Sequence, residues 1–485
     1  MALITAMFVP TFAHALAVSS TSPVLNAGNV ARATTIVINF DRPLATASIG
    51  NASFRVFGQQ HGKIAGATVF SNANQTLTFT PAVTLFPGEL VTVNLSHAVT
   101  AADSTTLRSA GYAFQFLTHA GIAPMTFIQI DAVSVRTNGN PTVLYGGAHA
   151  DFNLDGWIDY AAVNEVSADL RVMLNRADGS GLLGPVLVPP PVIGFEASPN
   201  DSADFNNDGK IDIATSNTSS DTVSVLLGLG TGRFGPQQAV AVGMTPHGIA
   251  ALDVDGDADP DLVVASENGN FLSVLINDGS GVFGNRTDFD SGGNGEYALS
   301  SGDMNGDGIL DLVVGTYNNN RLIVLTGNGN GTFTSAANID GGGKVWKLVL
   351  GDVNGDGKLD VASVNGPTNN GAIAFGNGNG TLQAAALTAF GGTTVASDLG
   401  DLDGDGDLDW VVSSYGAARW YIRRNNGSGV FSAAGEIMAP AAASCASLYD
   451  ADNDGDLDMS LADENADLLL LMRNGNDTIF KNGFN

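Results

Sequence analysis

Seven nine-residue segments of one design, each opening and closing on aspartate, recur through this chain at a nearly constant interval. The sixth reads Asp401-Leu402-Asp403-Gly404-Asp405-Gly406-Asp407-Leu408-Asp409, and the others begin at Asp151, Asp204, Asp253, Asp303, Asp352 and Asp450. Successive starts lie 53, 49, 50, 49, 49 and 49 residues apart. A period held over seven copies means that one supersecondary unit is repeated, and that each copy buries its faces against its neighbours. A second mark keeps the same step. A Gly-x-Gly-x-apolar element places Leu183, Phe234, Phe283, Phe333, Leu382, Phe431 and, in a looser copy, Phe480 at spacings of 51, 49, 50, 49, 49 and 49.

The sixth unit shows what is repeated. A strand around 395–399 precedes the acidic segment, and a second strand follows through Asp409-Trp410-Val411-Val412-Ser413. A turn at Tyr415-Gly416, a third strand at 419–422, the Gly-rich element and a last strand toward Met438 complete it. Four antiparallel strands per unit describe a propeller blade, so residues 120–485 are expected to form a seven-bladed β-propeller. The Gly-rich elements, such as Gly228-Leu229-Gly230-Thr231-Gly232, read as turns and not as phosphate loops, because no βαβ unit surrounds them. The last unit is one strand short. The extended stretch 125–133, ahead of the first loop, is expected to supply that strand and close the ring.

Upstream of the repeats the pattern changes. Residues 1–17 form an apolar run ending in two signal-peptidase motifs, Ala13-His14-Ala15 and Ala15-Leu16-Ala17, and read as a secretory signal, although no Lys or Arg precedes the run. Residues 18–119 lack the acidic segment and show period-2 strands cut by Pro and Asn turns, which suggests a β-sandwich. The stretches Ile38-Asn39-Phe40-Asp41-Arg42-Pro43-Leu44, Leu77-Thr78-Phe79-Thr80-Pro81-Ala82, Leu85-Phe86-Pro87-Gly88-Glu89 and Phe114-Gln115-Phe116 resemble the bacterial Ig-like domain of the S-layer type. That resemblance implies a spacer or presentation module on an exported protein. The fold class is thus all-β: a seven-bladed β-propeller preceded by an Ig-like β-sandwich. Beyond the first 17 residues no stretch of 18 apolar residues occurs, so no membrane span is expected.

The chain carries 49 acidic and 20 basic residues, a formal charge of -29, which repels nucleic acid and anionic lipid. Of the acids, 27 fall inside the seven segments. Position 1 is Asp151, Asp204, Asp253, Asp303, Asp352, Asp401 or Asp450. Position 3 is Asn153, Asn206, Asp255, Asn305, Asn354, Asp403 or Asp452. Position 5 is Asp155, Asp208, Asp257, Asp307, Asp356, Asp405 or Asp454, and position 9 is Asp159, Asp212, Asp261, Asp311, Asp360, Asp409 or Asp458. Oxygen side chains at four fixed offsets suit calcium, which takes about six to eight hard oxygen ligands. A backbone carbonyl is expected from position 7: Trp157, Lys210, Asp259, Ile309, Lys358, Asp407 or Asp456. Up to seven calcium ions would bind, and seven would raise the formal charge by 14.

The start of each loop also matches an EF-hand, but position 12 is Ala162, Thr215, Val264, Val314, Ser363, Val412 or Leu461, never the carboxylate that closes an EF-hand shell. The flanks are strands. Together with Phe234-Gly235 and Phe283-Gly284, the loops resemble the FG-GAP/VCBS repeat family, whose best-known members are the propellers of integrin α subunits. The resemblance implies structural ions at the base of each blade. Loops 3, 6 and 7 have four ligating carboxylates and the rest three, so loops 6 and 7 are expected to bind tightest. Loop 3 has Ala258 where the others have Gly, at a position that calls for left-handed backbone.

If the loops share one face, the residues six before each loop lie near the other end of the innermost strands. They are Tyr145, His247, Tyr297, Trp346, Val395 and Ser444, with Asn200 as the counterpart in the second unit. The turns 217–221, 267–270, 317–321, 415–419 and 464–467 are expected on the same face, adding Tyr317 and Tyr415. Such a surface suits a glycan or protein ligand. An enzyme is not expected, because His149 and His247 have no spaced partner and the acids are committed to the loops, leaving no pair for acid/base work. The expected function is surface recognition or adhesion by a calcium-binding, secreted, monomeric bacterial protein. The alternative is a secreted hydrolase or lyase acting on polysaccharide at the face opposite the loops. Cys445 is the sole cysteine, so no disulfide framework exists.

Overall fold

The computed structural model describes residues 14–475. Most of the expected signal segment, and Phe480 of the looser seventh Gly-rich mark, lie outside the described residues.

The N-terminal domain is a sandwich of two sheets. Strands Val18–Ser22, Ile36–Phe40, Thr76–Pro81 and Gly66–Ser71 pair in that order. Strands Ala27–Val30, Tyr112–Thr118, Leu90–Leu95, Phe54–Gly58 and Gly62–Lys63 make the second sheet. The alternation visible in Ile36, Ile38 and Phe40 and in Val91, Val93 and Leu95 turns those side chains inward, where they meet Phe54, Phe79, Phe114 and Phe116. Leu16 belongs to this core at 1% exposure; its N–H donates to the Thr106 carbonyl, and the Ala17 N–H to Asp41 Oδ1. The sandwich therefore begins ahead of Val18.

Downstream, the described residues form seven small antiparallel sheets. The second strand of each, Asp159–Asn164, Asp212–Asn217, Asp261–Ser266, Asp311–Thr316, Asp360–Asn365, Asp409–Ser414 and Asp458–Asp463, is buried at every residue. Burial on both faces explains why these strands read as unbroken apolar runs without alternation. The first strands, Leu144–Ala150, Ala197–Ala203, Pro246–Leu252, Glu296–Gly302, Val345–Gly351, Thr394–Gly400 and Ala443–Tyr449, each touch the next, and the last touches the first. The sheets thus form a ring around a central channel, as in a propeller. Aromatic residues of the Gly-rich marks pack between adjoining sheets: Phe234 stands edge-on to Phe152 with centroids 5.5 Å apart, and Phe283 likewise to Phe205 at 5.4 Å.

The ring closes as expected. Phe127–Ser134 pairs antiparallel with Leu468–Asn474 and is the outermost strand of the last sheet. The first sheet departs from the expected four strands and has three. Pro189, Pro190 and Pro191 occupy the place of its outer strand and lack the N–H groups a ladder needs, so isolated bridges, Asp169 with Val192 and Asn175 with Leu183, stand in place of a continuous strand.

All seven acidic loops connect first to second strands and so share one end of the ring. The sandwich is docked on that end. Its Gln60 carbonyl accepts the Asp151 N–H at 2.9 Å, and Asn26 Nδ2 donates to the Asp303 carbonyl at 3.0 Å. The module that sequence suggested as a spacer thus covers the loop end of the channel.

Candidate functional site

The loops are built around two left-handed residues, at positions 4 and 6. Leu154, Asn207 and Asn453 hold φ of 62°, 58° and 58° at position 4, and Ala258 holds 71° at position 6 where Gly stands elsewhere. Ala258 therefore adopts the strained conformation its place in the repeat demands. Position 1 is an internal brace: in loop 6, Asp401 Oδ1 and Oδ2 accept the N–H groups of Asp405 and Gly406 at 3.1 and 3.0 Å.

Position 9, one of the four expected ion-ligand positions, also braces the backbone. In every loop its Oδ2 accepts the N–H of position 2, and its Oδ1 accepts an N–H from the end of the third strand. For Asp409 the donors are Leu402 at 3.0 Å and Asn425 at 2.8 Å. Burial pushes these carboxyls up, Asp159 to about 8 and Asp212, Asp311, Asp360 and Asp409 to about 7, while Asp261 and Asp458 also rise. The raised values mark where positive charge would be welcome.

Three loops bring carboxylates together: Asp253, Asp255 and Asp261; Asp401, Asp403 and Asp409; Asp450, Asp452 and Asp458, with the ligand atoms of each set within 4.8 Å of one another. These are the four-carboxylate loops singled out by sequence, although position 5 is not in the cluster. In each, Oδ1 of position 3 (Asp255, Asp403, Asp452) is buried without a hydrogen-bond partner. An orphaned buried carboxylate oxygen facing two more carboxylates is a donor set for a hard cation, and the residues fit calcium. A bound ion would neutralise the cluster and lock the loop. Loops 6 and 7 also carry counter-charges that sequence reasoning missed: Arg424 Nε lies 3.0 Å from Asp403 Oδ2, and Arg473 Nε lies 3.1 Å from Asp452 Oδ2. In loop 3 Arg55 pairs with Asp259.

At the opposite mouth of the channel, a cavity of about 390 Å³ is lined by Tyr145, His247, Tyr297, Trp346, Val395 and Tyr415, together with Glu165, Glu196, Glu267, Glu464, Thr218 and Thr393. Tyr145, His247, Tyr297, Trp346 and Tyr415, named from sequence as residues of one face, are brought together here. Tyr317 packs behind them, 5.3 Å from Tyr297 and 5.8 Å from Trp346 between centroids, and Lys344 Nζ sits 4.0 Å above its ring. His247 stacks on Tyr297 at 3.6 Å and lies 3.3 Å from the Tyr145 hydroxyl; burial pulls it down to about 3, so it stays neutral. Two expected members are elsewhere. Asn200 lines the channel deeper in, because the second unit is irregular, and the Ser444 hydroxyl is spent on the Tyr145 carbonyl at 2.5 Å.

The carboxylates correct the expectation that no acids stand free of the loops. Burial, with Glu464 and Glu196 nearby, pushes Glu165 up to about 8, and burial lifts Glu464 to about 7. A sequence signal existed. Glu165, Thr218, Glu267, Tyr317, Gly366, Tyr415 and Glu464 each stand 14 residues after a loop start, and each donates its N–H to the carbonyl of the residue 8 before that same loop start: Val143, Glu196, Thr245, Gly295, Lys344, Thr393 and Ala442. The mouth is therefore a repeated frame with variable side chains. Glu196, the position-minus-8 residue of the second unit, has φ of 50° and bonds the Ser219 hydroxyl.

Below the mouth the channel holds Lys347 Nζ 3.1 Å from Asp398 Oδ1, beside Cys445 and His149 around a cavity of about 180 Å³. Both members of the pair line that internal space and keep part of their side-chain surface accessible.

Comparison with known proteins agrees with this architecture. The FG-GAP-like repeat model matches at residues 151–215, 204–264, 253–314, 303–363, 352–412 and 401–460. The chain belongs to the FG-GAP-like repeat family. A bacterial Ig-like domain matches residues 13–118, which includes Leu16. Among curated protein sequences none matches. The solved structure of BBS1N in complex with ARL6DN is 11% identical with a TM-score of 0.51, covering 73% of this chain and 98% of that one. A lectin from Agrocybe aegerita, described as recognising non-reducing terminal N-acetylglucosamine, is 18% identical with a TM-score of 0.47, covering 87% and 99%. The first of these likenesses speaks to the fold. No helix among the described residues of this FG-GAP-like protein is long and apolar enough to cross a membrane.

Proposed function

We propose that this is an exported bacterial protein in which a seven-bladed, calcium-stabilised propeller, joined to an Ig-like module of the S-layer type, recognises a glycan or protein ligand at the mouth opposite the loops. The observation that carries the reading is the mouth cavity, which Tyr145, Tyr297, Trp346 and Tyr415 line together with four glutamates. Ring faces stack on sugars or apolar side chains, and the carboxylates accept hydroxyl or amine hydrogens. Export requires removal of the leading segment, and cleavage after Ala15 leaves Leu16 in the sandwich core, whereas cleavage after Ala17 removes it. A glycan array probed with calcium present is the test: Trp346→Ala and Tyr297→Ala should abolish any binding seen, and unchanged binding by both variants would refute the mouth as the site.

A second reading rests on Glu165 and Glu464. Two carboxyls raised to about 8 and about 7 in one cavity are suited to hold a proton near neutrality, as a hydrolase or lyase acting on polysaccharide requires. Turnover on a polysaccharide panel that is lost in both Glu165→Gln and Glu464→Gln would establish it, and a panel without turnover would reject it.

A further inference from the structure

The sandwich contains five cationic side chains, Arg32, Arg42, Arg55, Lys63 and Arg108, and four of them face the acidic loops. Arg55 donates to the Ala258 carbonyl and to Asp259 of loop 3. Arg108 Nη2 donates to the Gly308 carbonyl of loop 4 at 2.7 Å. Lys63 acts on Asp204 of loop 2, and Arg32 on Asp450 of loop 7. Arg42 alone is engaged elsewhere, with Asp41 and Asp103.

The backbone contacts carry a second regularity. The carbonyl of loop position 6 is the acceptor in three loops: Ala258 for Arg55, Gly308 for Arg108 and the Ala113 N–H, and Gly455 for the Gly121 N–H at 2.7 Å. Other acceptors are Gly256, bonded by both the backbone N–H and the ring Nδ1–H of His97, and Asp403, bonded by the Ala123 N–H. Position 6 has positive φ in all three loops, 71° at Ala258, 76° at Gly308 and 104° at Gly455. The sandwich and its linker thus read a loop's shape as well as its charge. The three loops with converging carboxylates are all among those touched: loop 3 by Arg55 and His97, loop 6 by Ala123, loop 7 by Gly121.

We propose that seating of the sandwich and binding of divalent cations in loops 3, 6 and 7 are mutually dependent. The ion holds the loop in the shape whose outward carbonyls the sandwich reads, and the seated sandwich holds the loop in the shape that binds the ion. This rests on the reading of the loops as calcium sites. Coupling of this kind is reciprocal by thermodynamic necessity. Charge competition does not cancel it. Counting the 27 acids, Lys210 and Lys358, the seven loops filled with divalent ions still sum to -11, so the four basic side chains keep a negative surface to face. Loss of the ions would loosen the sandwich and open the loop end of the channel, where a cavity of about 300 Å³ lies between Arg55, Phe57 and Gln115 on one side and Asp201, Leu252 and Lys347 on the other.

The test uses the full chain, with calcium or with EDTA. Small-angle X-ray scattering reports seating, circular dichroism reports strand content, and titration against a chromophoric chelator reports calcium affinity. Two variants unseat the sandwich by different means. Ala110→Trp is a neutral wedge at the point where Ala110 meets Gly329, a glycine whose added Cβ would lie 2.1 Å from that of Ala110. Arg55→Glu with Arg108→Glu reverses two interface charges. The expected results are a larger radius of gyration in EDTA with strand content retained, and calcium affinity at the tightest sites lowered about fivefold or more in both variants. Added glutamates near the loops would by themselves strengthen calcium binding, so a fall in affinity identifies the coupling. Unchanged scattering in EDTA, wild-type affinity in an unseated variant, or failure of both variants to unseat the sandwich would overturn the proposal. A chain that binds no calcium at all would instead overturn the reading of the loops on which it rests.

Discussion

Replacing Asn425 by Ala should destabilise the ring by a measurable amount, and by a route that does not pass through any ion. Asn425 is 3% exposed and sits where the third strand of the sixth unit ends. Its Nδ2 donates to the Leu408 carbonyl of its own loop at 3.0 Å and to the Val353 carbonyl of the preceding loop at 2.7 Å, so one amide ties two neighbouring sheets. Asn175, Asn277 and Asn474 make the same pair of bonds in their units. Alanine keeps the backbone N–H that Asp409 Oδ1 accepts but leaves two buried carbonyls unpaired. At about 1–3 kcal/mol for each orphaned group, the cost is about 2–6 kcal/mol. For a cooperative unit of about 350 residues, unfolding entropy near 0.7 kcal/mol/K converts this to a drop in melting temperature of about 3–9 °C. Calorimetry should find the same drop with saturating calcium and with EDTA. A shift below 1 °C would refute the bracket, and a shift that vanishes in EDTA would show that the residue acts through the loop 6 ion.

Chelation itself should lower the melting temperature, since each filled site adds about 2.7 kcal/mol at one hundred times its dissociation constant; a melt indifferent to EDTA would reject the calcium reading. Glu165→Gln should leave stability unchanged near pH 4 and raise the melting temperature above pH 8. The folded-state value, raised from 4.5 to about 8, means that the group's contribution is present below the ordinary range and is lost as pH rises through 8. A constant difference between variant and wild type from pH 4 to 9 would contradict this. Deleting residues 121–133 should cost many degrees of melting temperature, because Phe127–Ser134 completes the last sheet; an unaltered melt would sink the closure argument. N-terminal sequencing of exported protein should begin at Leu16, and a chain beginning at Val18 would contradict the packing argument.

The ring was legible because its signals are local and repeated. Each acidic loop constrains nine residues, and the run after it, such as Asp261-Leu262-Val263-Val264, is apolar on both faces because it lies between two sheets. Docking of the sandwich was not legible, because it depends on pairs such as Arg55 with Asp259, about 200 residues apart, and on backbone carbonyls that carry no residue identity. The same is true of Arg424 and Arg473. Their positions relative to loops 6 and 7 are regular, but nothing in a single unit says that a third-strand arginine reaches back to loop position 3.

The position that holds Asn425 shows how a repeat can vary without losing its frame. Units two, four and five have Gly228, Gly327 and Gly376 there, and a Cβ added to any of them would lie 2.1–2.4 Å from the carbonyl of loop position 8. Where the backbone comes that close only glycine fits; where it stands off, asparagine fills the gap and bonds the same carbonyl. In both cases the N–H still reaches the position 9 aspartate, which is why that residue never varies across the seven loops. At the mouth no such closure is needed. The frame there is made by one backbone bond per unit, so Glu165, Thr218, Gly366 and Tyr415 occupy equivalent places without structural penalty. Freedom of side chain at a fixed backbone position is what a recognition surface requires, and it places the variable chemistry of this chain at the end of the channel that the sandwich leaves open.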